Sequence, residues 1–230
     1  HRDECKFNFI FISCASLVCC KHMAKVLGLD VSTKCIGIAL FDYEGEKRNL
    51  KLLTHISPTI KPKPTDKLEE LISKVIVFEN EFLANYKNSG ITKVIVEEPL
   101  LRSNNVRTVG TLLRFNGMIC KSVYDILGVI PEFISSYDAR KYAFPNLMGI
   151  RTVNKKGEEI PPKRRKQPVL FGGHPYDIDK KVVIWENVAD KEPQIQWFYD
   201  KHNKLRKQNF DMSDSYCAVL GFMKKENIWV

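Results

Sequence analysis

The stretch Lys25–Asp42, KVLGLDVSTKCIGIALFD, decides the fold of this 230-residue chain. Two apolar runs flank the polar residues Ser32–Lys34, a pattern that predicts two strands joined by a tight turn. The first run leads into Asp30, although Asp has a poor strand propensity. A buried carboxylate is costly unless it has a partner. Asp30 therefore either starts the turn, for which Asp-x-Ser-Thr is ordinary chemistry, or is paired with a cation.

The length and composition are those of one globular domain. A chain of 230 residues can bury one full hydrophobic core and is too short for two independent domains of typical size. Its 44% hydrophobic content separates it from disordered chains. The 36 Lys and Arg residues exceed the 27 Asp and Glu residues by 9, and this positive charge favours a polyanionic partner such as nucleic acid.

The seven cysteines indicate neither a disulfide framework nor a zinc site, because the chain has no Cys-x-x-Cys pair. Four of them fall within the first twenty residues, and the other three are isolated in apolar surroundings. We therefore expect reduced thiols in a cytoplasmic protein. The three isolated cysteines are Cys35, Cys120 and Cys217.

The first 22 residues, HRDECKFNFIFISCASLVCCKH, differ in character from the rest of the chain. Their apolar run, residues 7–20, is short for a membrane span and has the length of a signal-peptide core. Three interpretations compete: a signal segment, a short anchor, or sequence translated from upstream of a start at Met23. We favour the last. It predicts a leader, residues 1–22, outside a single domain of residues 23–230, and no membrane partner.

A strand, a helix and a strand follow the first hairpin. Residues 50–56 predict a third strand, and Thr65 is the predicted N-cap of an amphipathic helix. The buried strand Val94–Val96 then runs directly into Glu97 and Glu98. This order implies a right-handed crossover, so two parallel strands that end on carboxylates are adjacent. The apolar positions of the helix are Leu68, Leu71, Ile72, Val75, Ile76, Phe78, Phe82 and Leu83.

The second half predicts further helices around an irregular insert. Helices are expected over residues 103–127, from residue 136 and over residues 180–188, with a short strand at 129–135. The insert at 146–176 is basic, rich in Gly and Pro and without periodicity, which is typical of a functional or mobile segment. The interior positions expected of the long helix are Leu112, Leu113, Phe115, Met118, Ile119, Val123 and Ile126.

The last predicted helix, residues 210–225, carries Asp211 and Asp214 three positions apart, so both lie on one face. They lie near its N-terminus, where the helix dipole favours negative charge. One of the two is alternatively a simple N-cap.

Four carboxylates are thereby predicted to converge on one site. They stay ionised together only beside cations, and oxygen ligands without His or Cys select Mg²⁺ or Mn²⁺. Two such ions, roughly 3.5–4 Å apart, activate a water and stabilise the leaving 3′ oxygen in phosphodiester hydrolysis. The four residues are Asp30, Glu97, Asp211 and Asp214.

Three motifs together resemble the RuvC branch of the ribonuclease H-like nucleases, the Holliday junction resolvases. They are LGLDVSTK followed by IGIA, then VIVEEP, then DMSDSYCA. The resemblance extends from about residue 23 to the C-terminus and implies an α/β fold with a mixed sheet, in which an antiparallel hairpin precedes parallel strands. It implies that the catalytic acids and metal ligands are Asp30, Glu97, Asp211 and Asp214. Glu98 is the alternative to Glu97.

The resemblance also implies an activity and partners. We expect a homodimer that cuts four-way or other branched DNA with two Mg²⁺ ions per site, for which Mn²⁺ substitutes, and without a nucleotide cofactor. Water would attack directly and leave 5′ phosphate and 3′ hydroxyl ends. Residues 103–127 are the predicted dimer interface. The insert is longer than expected of bacterial enzymes and indicates a phage or otherwise divergent member.

The basic residues expected to contact DNA come from several segments. The resemblance implies contributions from the long helix, from a basic pair after the next strand, and from a pair near the scissile phosphate. The run at 163–166 either contacts phosphates or is a solvated loop. Phe171 and Trp197 either stack on exposed bases or pack in the core. The predicted DNA-binding set is Arg107, Arg114, Arg140, Lys141, Lys163, Arg164, Arg165, Lys166, Lys180 and Lys181.

Three alternatives stay open. A pre-ribosomal RNA nuclease family shares the first motif and lacks the Val-Glu-Glu-Pro motif. An actin-like or sugar-kinase fold also opens with Gly-x-Asp-x-Ser/Thr, but it needs a second phosphate-binding hairpin and adenosine-binding glycines that this sequence lacks. A non-catalytic nucleic-acid binder gains nothing from four acids beside a phosphate.

Overall fold

The structure, a computed structural model, describes residues 24–99, 105–165 and 167–229. The expected leader, residues 1–22, and the predicted DNA contact Lys166 lie outside the described residues. Within these ranges no helix combines the length and the apolar character needed to cross a membrane.

A five-stranded mixed sheet forms the centre of the protein. Its strands are β1 (Ala24–Val31), β2 (Ile36–Glu44), β3 (Lys47–Ile56), β4 (Ile91–Glu97) and β5 (Glu132–Ile134). Their order across the sheet is β3-β2-β1-β4-β5. The pairs β1–β2 and β2–β3 are antiparallel, whereas β1–β4 and β4–β5 are parallel. The predicted fold class, an antiparallel hairpin followed by parallel strands, is confirmed.

Helices cover both faces of this sheet. They are α1 (Lys67–Phe78), α2 (Ala84–Tyr86), α3 (Val106–Leu127), α4 (Ser136–Ala143), α5 (Lys180–Lys191) and α6 (Gln208–Lys225). A π-helical turn, Glu79–Leu83, joins α1 to α2. The segment α1–α2 and helix α3 pack on one face, and α4, α5 and α6 pack on the other.

Alternation along β1 decides which side chains meet which helices, because successive strand residues point to opposite faces. Leu27 and Leu29 join the core under α1 and α3, whereas Val26 joins the core under α6. Gly28 and Asp30 lie two and four residues after Val26 and therefore face the same side of the sheet as Val26. Asp30 therefore lies on the face that α6 covers.

Helix α1 differs from its prediction in its cap and in its buried face. The side chain of Asp66, not of Thr65, caps the helix by accepting a hydrogen bond from Glu69 N at 2.9 Å. Three of the apolar positions that predict this amphipathic helix, Leu68, Ile72 and Ile76, are 46–48% exposed. Two apolar stripes run along this helix, and only the stripe with Leu71, Val75 and Phe78 faces the sheet.

The long helix and the last helix also begin elsewhere than predicted. Helix α3 begins at Val106 behind the N-cap Asn105, and its predicted interior residue Leu113 is exposed. Helix α6 begins at Gln208, and no side chain caps it. The alternative that Asp211 or Asp214 is a simple N-cap is therefore wrong.

The insert contains little regular structure, as predicted. A two-stranded antiparallel sheet, β6 (Met148–Gly149) with β7 (Val169–Leu170), closes it. Phe171 is buried in the core under α6, so the core-packing alternative is confirmed for this residue. Trp197 is half-buried and packs edge-on against Trp185, with ring centroids 5.9 Å apart.

Candidate active site

Two of the predicted acids end neighbouring parallel strands. Leu29 pairs with Val96 in the β1–β4 register, so the next residues, Asp30 and Glu97, lie side by side at the carboxyl edge of the sheet. Glu98 is exposed, and its main-chain N–H donates to Ile134 O at 2.8 Å. The geometry therefore brings Glu97, rather than Glu98, to Asp30.

Helix α6 brings the other two acids onto the same edge. A methyl group added at Gly37 would collide with the main-chain oxygen of Asp211, and Gly37 is the β2 partner of Asp30. The backbone of α6 thus lies directly on the first hairpin at this point. Asp214 follows one turn later and is 4% exposed. This close contact between α6 and the hairpin requires a glycine at position 37.

The electrostatics of the acids reflect their closeness. Burial raises the pKa of Asp30 well above its ordinary value, and the charges of Glu97, Asp214 and Asp211 raise it further. Burial, followed by the charge of Asp214, raises the pKa of Glu97 to about 8. Burial also raises the pKa of Asp211. Each of these carboxylates therefore resists ionisation in the metal-free protein.

Two predicted DNA-binding cations lie among these acids. Arg140 donates to Asp214 Oδ1 from Nε at 3.2 Å and from Nη2 at 2.8 Å. Lys181, at the start of α5, lowers the pKa of Asp30, Glu97 and Asp211, which opposes the effect of burial. The structure thus joins Arg140 and Lys181 to the acidic cluster.

A thiol completes the surroundings of Asp211. Cys35, expected to be a reduced core thiol, is free and buried, and it lines the same cleft as Asp211. Burial, followed by the charge of Asp211, raises the pKa of the Cys35 thiol. The sulfur therefore keeps its proton and can orient the carboxylate.

The donor set fits a hard divalent cation. Glu97 Oε2 is buried and has no hydrogen-bond partner in the described part of the chain, so a carboxylate oxygen at the centre of the site is free to bind a ligand. The four acids offer only oxygen, which Mg²⁺ and Mn²⁺ prefer. Across residues 24–99, 105–165 and 167–229, however, no three His, Cys, Asp or Glu side chains form a ready-made metal-binding group. In this arrangement Arg140 is hydrogen-bonded to Asp214.

An open cleft lies next to Asp211. Its volume is about 510 Å³. Lys34 and Lys207 line it together with Lys181, and neither was predicted from the sequence. Their positions in the sequence could have identified them, because Lys34 lies in the turn after Asp30 and Lys207 lies directly before α6. The lining residues are Ser32, Lys34, Cys35, Lys181, Lys207, Gln208, Phe210 and Asp211.

Three of the remaining predicted DNA-binding residues lie against a cavity or an aromatic ring. Arg107 lines a second cavity, of about 420 Å³, on the turn Ser32–Lys34. Lys180 lies 6.0 Å from the centre of the Phe171 ring, and Lys141 lies 5.1 Å from that of Tyr142.

Four predicted contacts are not brought to the acids. Arg114 lines a groove between α1 and α3, on the opposite face of the sheet. Lys163 and Arg164 are exposed in the insert. Arg165 donates to Glu159 Oε1 at 2.8 Å and to Ile160 O at 3.0 Å.

Solved structures with a related fold span almost the whole chain. A structure of RuvC from Thermus thermophilus is 15% identical, has a TM-score of 0.51, and matches over 89% of this chain and 97% of that chain. RuvC from T. thermophilus in complex with a Holliday junction substrate is 10% identical with a TM-score of 0.53, over 90% and 96% of the two chains. The chain therefore has a RuvC-like fold.

Other comparisons add nothing to this assignment. A Ppx/GppA enzyme from Aquifex aeolicus is 12% identical with a TM-score of 0.35, over 57% of this chain and 44% of that chain, which is too weak to carry an argument. No protein-family model and no curated protein sequence matches the chain. The RuvC-like fold, with its mixed sheet, agrees with the fold implied by the three motifs.

Proposed function

We propose that the protein is a metal-dependent endonuclease that cleaves branched DNA, with four-way junctions as its main substrate. One observation carries the proposal: four acids from β1, β4 and α6 meet at one sheet edge, where Glu97 has a buried, unpartnered oxygen. Such a cluster is unfavourable for folding, since burial and mutual repulsion oppose ionisation. A function that needs the charges explains it better than stability does.

The acids are suited to hold two Mg²⁺ or Mn²⁺ ions. Asp30, whose pKa responds to all three other acids, is the candidate for bridging both. Glu97 would hold one ion, and Asp211 and Asp214 the other. When bound, such ions supply an activated water and charge stabilisation at the leaving 3′ oxygen.

The protein's own side chains would position the substrate. Lys181 and the basic cleft beside Asp211 would attract the scissile phosphate, since clustered cations raise the local concentration of anions. Cys35 would orient Asp211. A buried thiol with a raised pKa is a poor nucleophile, which favours direct attack by water and products with 5′ phosphate and 3′ hydroxyl ends.

The choice of branched DNA has two supports. Basic side chains from several segments lie near the site: Lys34, Lys181 and Lys207 line the cleft beside Asp211, and Arg107 lines the cavity on the turn that follows Asp30. One structure with the same fold is described as RuvC in complex with a Holliday junction substrate. Both are consistent with a substrate that has several DNA arms.

We also propose a homodimer formed through the groove between α1 and α3. Ile72 and Ile76 are exposed in this groove although they are apolar, and a side chain at Gly117 of α3 would meet open space. A second copy would cover these surfaces. Sedimentation should give a dimer for the wild type and a monomer for I76E, whereas T92E, an exposed β4 position outside the groove, should stay dimeric.

Cleavage of synthetic substrates tests the function. A labelled four-way junction, a linear duplex and an RNA–DNA hybrid of the same sequence are compared in Mg²⁺ and in EDTA. Paired nicks confined to the junction and abolished by EDTA are expected. Cleavage of the hybrid alone would move the enzyme to an RNA-directed branch, and no cleavage of any substrate would reject the proposal.

Site variants test the acids themselves. D30N should lose cleavage and retain junction binding, because the amide cannot supply the bridging charge. E98Q is the matched control, since Glu98 is exposed beside the site, and it should cleave like the wild type. Wild-type cleavage by D30N in Mg²⁺ would show that the acids have been misassigned.

A further inference from the structure

A short hairpin, residues 198–206, lies directly before α6 and is rigidly built. Tyr199 and Leu205 form an antiparallel bridge. Asp200 Oδ1 accepts hydrogen bonds from His202 N at 2.8 Å and Lys204 N at 2.9 Å, and Asp200 N donates to Lys204 O at 2.8 Å. The single carboxylate of the hairpin is therefore used to fix its turn.

A buried amide fastens this hairpin to the helix that carries two of the acids. Asn209 in the first turn of α6 is fully buried. Its side chain accepts from Phe198 N at 3.0 Å and donates to Phe198 O at 2.6 Å. Since Asp211 follows two residues later, the hairpin has a fixed position relative to the candidate active site.

The two aromatic residues at the base of the hairpin are exposed beside this site. Phe198 is 38% exposed and Tyr199 is 45% exposed. The Phe198 ring lies edge-on to His55, with centroids 4.9 Å apart, and His55 pairs across the sheet with Gly37, on which Asp211 rests. The preceding Trp197 instead packs against the core.

Cations accompany these rings. Lys201 and Lys204 are exposed in the turn, and Arg206 and Lys207 follow it. Lys207 also lines the cleft with Asp211. Exposed aromatic rings flanked by cations bind unpaired bases, because the rings stack on bases of any sequence while the cations follow the phosphates.

We propose that the 198–206 hairpin binds unpaired bases at the branch point of the DNA, next to the cleaved phosphate, by stacking on Phe198 and Tyr199. The inference rests on the proposed function and adds the means by which a branch is distinguished from a duplex. A continuous duplex keeps its bases stacked inside and offers none to these rings.

Fluorescence and affinity measurements test the hairpin without cleavage. A four-way junction with 2-aminopurine at the branch point is titrated in EDTA with the wild type, F198L and Y199L, and a duplex with internal 2-aminopurine serves as the reference substrate. F133L is the matched protein control, because Phe133 is an exposed aromatic residue on β5. Strand β5 lies at the other side of the sheet from β3, whose His55 contacts the hairpin. Thermal unfolding verifies that each variant is folded.

We expect F198L and Y199L to lose junction affinity by about 5- to 150-fold, the range that base stacking covers, and to lose the 2-aminopurine response. Duplex affinity and all properties of F133L should stay unchanged, and F198W and Y199F should retain binding. Junction affinity and fluorescence at wild-type values in both folded leucine variants would overturn the hairpin proposal, while Mg²⁺-dependent cleavage by the wild type would leave the proposed function intact. A wild type that cleaves none of the DNA substrates would instead reject the function.

Discussion

Arg140 donates two hydrogen bonds to a single oxygen of Asp214, with Nη2 at 2.8 Å and Nε at 3.2 Å. Both side chains are largely removed from water, since 19% of the Arg140 side chain and 6% of the Asp214 side chain are exposed. One of the four acids is therefore neutralised by the protein itself. The charge of Arg140 also lowers the pKa of Glu97, and the charge of Lys181 lowers the pKa of Asp30, Glu97 and Asp211.

Removing Arg140 should destabilise the protein. R140M leaves Asp214 buried and unpaired, and breaking a buried ion pair from one side costs about 3–5 kcal/mol. The double variant R140M/D214N should be more stable than R140M, because it removes both charges. Urea unfolding of the two single variants and the double variant measures the coupling. Additive effects would mean that the pair contributes no coupling energy.

The metal-free protein should lose stability as pH rises. The pKa of Glu97 is about 8 in the folded protein and about 4.5 as its ordinary value. Between these values the unfolded chain ionises while the folded protein keeps the proton, so the free energy of unfolding decreases from pH 4.5 to 8. Urea midpoints measured in EDTA across this range test the sign.

Two comparisons separate Glu97 from other titrating groups. E97Q should reduce the slope of the pH dependence without abolishing it, because the amide does not titrate while Asp30 and Asp211, whose pKa values are also raised, still do. Saturating Mg²⁺ should flatten the pH dependence in the wild type, since cations favour the ionised acids. An unchanged slope in E97Q would assign the effect to a different residue.

Gly37 should tolerate no side chain. In G37A the new methyl group meets the main chain of Asp211, so either α6 shifts or the hairpin distorts. Overpacking of this kind costs about 1–3 kcal/mol, and the displaced Asp211 should also reduce cleavage. G110A is the matched control, because a methyl group there meets open space on α3. Thermal unfolding should show G110A slightly stabilised, by about 0.5–1 kcal/mol.

The placement of the acids was predictable from local rules. Asp30 and Glu97 each follow a buried apolar run, and the strand-helix-strand order fixed the two strands as parallel neighbours. The spacing of Asp211 and Asp214 placed both on one helix face. Each inference needed only the periodicity of one segment and one rule of chain topology.

What could not be predicted depended on tertiary contacts. Helix α1 has two apolar stripes, and no local property states which one the sheet covers, so the exposure of Ile72 and Ile76 could not be predicted from their spacing. The pairing of Arg140 with Asp214 joins residues 74 positions apart. Among neighbouring aromatic residues, Trp197 packs inward while Phe198 and Tyr199 are exposed, and composition does not distinguish them.

The basic run of the insert, residues 163–166, gives the last prediction. If it contacts DNA phosphates, neutralising all four residues to Gln should make the affinity for junctions less dependent on salt. Each lost phosphate contact reduces the slope of log affinity against log salt by about 0.9. R165Q alone should change this slope least, since Arg165 is already bound to Glu159 and Ile160.

A control variant separates this local effect from the loss of net charge. Lys47 and Lys87 are exposed. Lys47 begins β3 and Lys87 lies four residues before β4. Both strands run in the direction of β1, so these residues lie at the edge of the sheet opposite the acids. K47Q/K87Q should therefore leave the slope unchanged. A slope that stays the same in the fourfold variant would mean that the run is a solvated loop. A slope that falls equally per charge in both variants would point to a general effect of net charge, because true phosphate contacts depend on position.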